Sequence, residues 1–220
     1  MIKLVVFDLD ETLIDTIEGL GYSANAVLDE YGLKGYDREF YEGIIGNGAR
    51  RFIESITLDK KKEKTMADEM LIKFLDSYSR NWMVGLAEYD GVNDVIEILK
   101  EREIKIALNT NKPHAVAEKI VIHFYGTDTF KSVKGACEDY PKKPHPAGVN
   151  MILEELNIGL DECIYVGDSK VDIETSRNAG IKSIGVKWGY GKNDGITDAD
   201  YIAENPYQLL EILKVHTENK

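Results

Sequence analysis

Short apolar runs alternate with amphipathic stretches along most of this chain. Residues 2–7, 104–108, 163–167 and 182–186 are rich in β-branched and aliphatic side chains, with 132–136 a fainter member of the set. Runs of this length and composition predict strands buried on both faces. Between them, apolar residues recur at i, i+3, i+4, i+7: Val92, Val95, Ile96 and Leu99; Ala117, Ile120, Val121 and Phe124; Val149, Ile152, Leu153 and Leu156. Each set lines one face of a helix. A further helix is expected over 170–179. Strands alternating with helices predict an α/β fold with a parallel sheet covered on both faces.

Residues 15–82 break the alternation. Helical spacing persists (Ala24, Val27, Leu28, Tyr31, then Leu71, Phe74, Leu75, Tyr78) with no clear strand. The stretch is too long for an ordinary crossover, so it is expected to be a helical insert between the first strand and its partner. The expected domains are therefore a core of 1–14 with 83–220 and an insert of 15–82. The insert carries ten basic and thirteen acidic residues, so it is not a basic clamp. Its run Asp59–Lys64 is expected to be a solvated helix start.

A chain of 220 residues with 43% hydrophobic and 30% charged residues suits one large globular domain, or a core with a smaller insert. The net charge of −12 argues against nucleic acid as a partner, because phosphate backbones recruit clustered Lys and Arg. No stretch is apolar for long enough to span a bilayer, and no secretory pattern precedes the first strand, so a cytoplasmic protein is expected. Cys137 and Cys163 do not form a Cys-x-x-Cys pair, and the four histidines show no metal-binding spacing. Trp82 and Trp188 are expected to pack, and Gly189-Tyr190-Gly191 to form a loop. Oligomeric state has no signature here.

Four segments carry the chemistry: FDLDETL at 7–13, LNTNK at 108–112, KKPHP at 142–146 and VGDSKVD at 166–172. Asp8 and Asp10 lie two residues apart after the first strand, so in an extended stretch both carboxylates point to one side. One can attack an electrophile while the other transfers a proton; a turn or a helix cap is the alternative, weakened because a surface turn does not need a buried strand leading into it. Asp168 follows a glycine at the end of another predicted strand, and Asp172 shares its helix face. Oxygen ligands of this kind suit Mg²⁺, although Asp168 or Ser169 could also cap the helix. Thr110 and Asn111, placed just after strand 104–108, could bind phosphoryl oxygens or cap the next helix. Lys143 is held between prolines, where a fixed ammonium could neutralise phosphate; a solvated loop lysine is the alternative.

Together these segments resemble the haloacid dehalogenase superfamily of phosphotransferases, over nearly the whole chain. The phosphoglycolate phosphatase group is the most similar, through Ile45–Arg50 and Thr110–Pro113. The resemblance implies a Rossmann-like core with a small all-helical cap inserted after the first strand. Asp8 would be the nucleophile and Asp10 the general acid and base, with Thr110 and Lys143 on the phosphoryl group. Mg²⁺ would be held by Asp8, Asp168 and the backbone carbonyl of Asp10, with Asp172 nearby. Thr12, Asn111, Gly46, Asn47 and Arg50 would contact substrate, a small phosphorylated metabolite. Two positions depart from the pattern: Glu11 stands where a glycine is usual, and Ser176 where an alanine is common.

The function implied is Mg²⁺-dependent hydrolysis of a phosphomonoester through an aspartyl-phosphate. A phosphomutase or pyrophosphatase would use the same core. A dehalogenase has no need of Asp10. Phospho-aspartate receiver domains share the acidic cluster, Thr and Lys but are shorter and lack the insert. An inactive binding relative would not need every reacting group, and all are present.

Overall fold

The computed structural model describes residues 1–59, 64–189 and 195–217. Lys60–Glu63 and the Tyr190–Gly191 portion of the expected loop lie outside them. The described chain divides into two compact units, Met1–Ile14 with Glu88–Lys220, and Asp15–Ala87.

The first unit is built on a parallel six-stranded sheet. Its strands are β1 (Leu4–Phe7), β4 (Lys105–Pro113), β5 (Phe130–Ala136), β6 (Cys163–Gly167), β7 (Lys182–Val186) and β8 (Tyr201–Ala203). They lie in the order β5-β4-β1-β6-β7-β8 and each neighbouring pair is parallel. Leu4 to Phe7 are at most 1% exposed, as expected for the central strand of such a sheet. After β1 the chain builds outward through β4 and β5, then returns to β6 and builds outward the other way. The order therefore reverses between β1 and β6, the crevice where ligands of open α/β sheets bind.

Helices α5 (Val92–Glu101), α6 (His114–Tyr125), α7 (Ala147–Leu156), α8 (Lys170–Ala179) and α9 (Pro206–Thr217) flank the sheet. The expected faces of α5, α6 and α7 are buried, apart from the half-buried Phe124 and Leu156. On one sheet face Leu4, Val6, Ala107, Cys163 and Tyr165 pack against Val149, Ile152 and Leu153 of α7 and Ala179 of α8. Burying a Leu, Ile or Val side chain contributes roughly 1.5–3 kcal/mol, so this layer dominates the unit's stability.

The second unit contains α1 (Ile17–Glu30), α2 (Arg38–Glu42), α3 (Ala49–Asp59) and α4 (Lys64–Asn81). Its core joins Val27 and Leu28 with an aromatic row, in which ring centroids of Tyr41 and Phe52, Phe52 and Phe74, and Phe74 and Tyr78 lie 5.5, 5.3 and 5.7 Å apart. Short strands β2 (Ile14–Asp15) and β3 (Ala87–Glu88) pair where the chain passes between units.

Two expectations need correction. The second passage falls at Ala87/Glu88 and not at 82/83, because the turn after α4 belongs with α1. A Cβ on Gly19 would stand 3.1 Å from the Val84 carbonyl and 3.4 Å from that of Trp82. Thr110 and Asn111 do not follow their strand but lie inside it, since β4 runs on to Pro113 with a shift of register between Asn109 and Pro113. Among the described residues, no helix is long and apolar enough to cross a membrane.

Candidate active site

Three strand ends deliver the reactive groups. Asp8 directly follows β1, and its backbone N–H donates to Val166 O at 2.9 Å, so the chain stays in register with β6 as the carboxylate emerges. Asp168 directly follows β6. Gly167 before it has a steric role, since a Cβ there would lie 2.4 Å from Asp172 Cβ. Ser169 caps α8, and its N–H and hydroxyl both donate to Asp172 Oδ2, at 3.0 and 2.5 Å.

Lys143, 4% exposed, spans two of these carboxylates. Its Nζ lies 2.8 Å from Asp8 Oδ1 and 2.6 Å from Asp172 Oδ1. Tyr165 OH, which donates to the Asn109 carbonyl at 2.7 Å, also lies 3.4 Å from Asp172 Oδ1. Both oxygens of Asp172 are thus engaged by protein donors. Asp8 Oδ1 differs: the ammonium is near in distance, yet the oxygen is buried without a hydrogen bond of good geometry.

Burial sets the electrostatics. It pushes Asp8 up to about 7 against the pull of Lys143, and Asp172 and Asp10 add repulsion. Burial, then Asp172, Asp8 and Glu11, hold Asp168 well above the carboxylate range. Burial opposes the charge on Lys143, but Asp172 and Asp8 outweigh it and raise its pKa. One oxygen each from Asp8, Asp168 and Asp172 lie within 4.8 Å of one another. Crowded, desolvated carboxylates with an unsatisfied oxygen fit a hard divalent cation such as Mg²⁺.

Smaller groups frame this centre. Thr12 donates to Asp168 Oδ1 at 3.3 Å, and Asn111 Nδ2 to the Lys143 carbonyl at 3.2 Å. Thr110 Oγ1, buried, accepts from the Lys112 N–H at 3.2 Å. Gly46, Asn47 and Arg50 belong to the Asp15–Ala87 unit, where all three are exposed and Arg50 pairs with Asp68 at 2.7 Å.

Sequence reading assigned no task to several residues here. Lys112 is 3% exposed, with Nζ 2.5 Å from Asp10 Oδ1. Trp188, expected only to pack, donates from Nε1 to the Thr12 carbonyl at 3.0 Å. Glu11 adopts φ +65°, the left-handed region that favours glycine, which is the physical reason glycine suits this position. Its buried carboxylate accepts from Tyr89 OH at 2.6 Å. The unusual Glu11 was a visible signal; Lys112 offered none while its strand was expected to end at Leu108.

The model of the haloacid dehalogenase-like hydrolases matches residues 5–186. The chain belongs to this family. Haloacid dehalogenase-like relatives include the phosphoglycolate phosphatase of Colwellia psychrerythraea, 30% identical over 88% of this chain and 88% of its own. That of Aquifex aeolicus is 30% identical over 97% and 98%. Among solved structures, a predicted phosphoglycolate phosphatase from Haemophilus somnus superposes with a TM-score of 0.87 at 26% identity, over 96% of this chain and 98% of that one. The sheet order and helical layers are those of a haloacid dehalogenase-like phosphatase, as the sequence implied.

Proposed function

We propose that this phosphatase hydrolyses a small phosphomonoester of the phosphoglycolate type, with Asp8 as nucleophile. The carrying observation is Asp8 itself: buried at a strand end, with its Oδ1 2.8 Å from the Lys143 ammonium. Asp8 attacks phosphorus as the ester bond breaks, and Asp10 gives its proton to the leaving oxygen. Asp10 then takes a proton from water, which attacks the aspartyl-phosphate, breaks its P–O bond and restores Asp8. Lys143 and Thr110 balance charge on the phosphoryl oxygens, where most of the catalysis of phosphoryl transfer resides.

Asp8, Asp168 and the Asp10 carbonyl would hold Mg²⁺. When bound, the ion supplies positive charge to the transferring group. Asp172, whose oxygens are taken by Lys143 and Ser169, fixes the lysine between the two aspartates. The helical unit Asp15–Ala87 serves as the cap and carries Gly46, Asn47 and Arg50 as its substrate-reading residues. Support comes from the insert's place after the first strand and from the named relatives.

The test is phosphate release from a panel of small phosphoesters with and without Mg²⁺. Release is expected to need Mg²⁺, to be fastest on phosphoglycolate and to fall at least about 10³-fold in Asp8→Asn with an unchanged circular dichroism spectrum. Undiminished turnover in Asp8→Asn would end the proposal.

A further inference from the structure

The steps above leave Lys112 without a task. It is a buried ammonium in a chain of net charge −12, its side chain only 1% exposed and its Nζ 2.5 Å from Asp10 Oδ1. Burying two charges costs several kcal/mol per ion before their attraction is counted, and well-packed apolar residues often serve the fold as well. Stability alone is therefore a poor reason to keep this pair. Its surroundings suggest a different one.

The two buried lysines of the site divide the labour by position. Lys143 touches Asp8 and Asp172, on the side of the transferring phosphoryl group. Lys112 touches Asp10, the residue that hands its proton to the leaving oxygen. Asp10 must approach that oxygen to about 2.6–3.2 Å. A group one or two bonds beyond the leaving oxygen then lies within reach of Lys112 Nζ. Asp8, Glu11, Asp168 and Asp172 are all buried, and Asp8 feels the charges of Asp10 and Asp172 while Asp168 feels those of Asp8, Asp172 and Glu11, so a leaving group carrying its own negative charge is repelled unless a cation meets it. The strand fixes where that cation stands. Thr110, on the same strand, accepts the Lys112 N–H, so phosphoryl-binding hydroxyl and ammonium are spaced by the backbone itself.

We infer that Lys112 determines specificity by recognising a carboxylate on the leaving group. The favoured substrates are phosphomonoesters of short hydroxy acids, with the carboxylate attached to the ester carbon itself. The inference rests on the proposed phosphatase reading of this site. On binding, the Lys112 ammonium shares its hydrogens between Asp10 and the substrate carboxylate; no covalent bond changes at the lysine.

Phosphoglycolate and ethyl phosphate, which has a methyl group in place of the carboxylate, separate the roles. Kinetics would be measured for the wild type, Lys112→Met and Lys112→Arg. The ratio of kcat/KM for phosphoglycolate over ethyl phosphate is expected to fall about 10²-fold in Lys112→Met and to recover in part in Lys112→Arg. A ratio that stays within about threefold while both esters slow together would show that Lys112 acts only by positioning Asp10 or on the phosphoryl group, and would overturn the inference. A second arm needs no turnover. Calorimetric binding of the two esters to Asp8→Asn, with and without Lys112→Gln, reads the same preference. If the wild type releases phosphate from neither ester, the phosphatase reading fails, and the binding arm still decides whether Lys112 selects the carboxylate.

Discussion

Two clusters in this protein gather carboxylates around one cation, and they mean different things. In the core unit, Lys143 holds Asp8 and Asp172 with its side chain 2% exposed. In the helical unit, Arg38 holds Asp15, Glu18 and Glu42 at 2.7, 2.9 and 2.8 Å with its side chain 36% exposed. Arg38 has more partners and better fork geometry. Yet solvent screens it, and exposed ion pairs stabilise by about 0–1 kcal/mol. Lys143 has fewer partners and no water to share the burden. The difference teaches that burial, more than the number of partners, sets how much the fold depends on keeping a charge paired.

The largest test of this contrast is Lys143→Met. It leaves two buried carboxylates without their cation, at a cost of about 3–5 kcal/mol by chemical denaturation, and turnover is expected to be lost with it. A second test is pH. Asp8, lifted to about 7 in the folded chain against 3.8 in the unfolded one, keeps its proton where the unfolded chain has released it. Between those values the folded state binds more protons, so stability falls as pH rises, by about 2–4 kcal/mol in total. Asp168, raised by the same burial, steepens the slope. Melting in EDTA should therefore occur several degrees lower at pH 8 than at pH 5. Asp8→Asn should flatten that slope, and Arg38→Ala should keep it.

Tyr89→Phe probes an intermediate case, a buried carboxylate served by a hydroxyl. Glu11 would lose its 2.6 Å donor, and about 1–2 kcal/mol of stability is expected to go, read as a shift in urea midpoint. Arg38→Ala closes the series at about 1 kcal/mol or less by the same measurement. A larger loss there than in Lys143→Met would reverse the comparison.

The sequence made some of these features legible and concealed others for physical reasons. β1 and β6 were readable because apolar runs end abruptly at Asp8 and Asp168, a combination that surface turns do not need. Helices α5 and α7 were readable from clean apolar spacing. By contrast, α2 is five residues long, too short for a long apolar face, whereas α3 carries Ala49, Phe52, Ile53 and Ile56 at the same spacing as the readable helices. Strand β8 has only three residues, too few to stand out as an apolar run. The site was legible wherever residue type and strand end coincided. Lys112 was not, because the strand reads as ending at Leu108, and only the continuation of β4 to Pro113 carries the lysine inward. Nor was Tyr89, since its partner Glu11 lies 78 positions away.

The pairing of β2 with β3 has a consequence of another kind. The excursion Asp15–Ala87 begins and ends on neighbouring strands, which sit about 4.8 Å apart. Doubling the length of a loop whose ends are so fixed adds only about 0.6 kcal/mol of closure entropy. The pair is therefore a splice point. Modules of very different size can be exchanged there over evolutionary time, or by a protein engineer, without disturbing the register that aligns β1 with β4 and β6. On the proposed reading, exchanging the module would change the substrate range while Asp8 and Asp168 keep their places at the ends of β1 and β6.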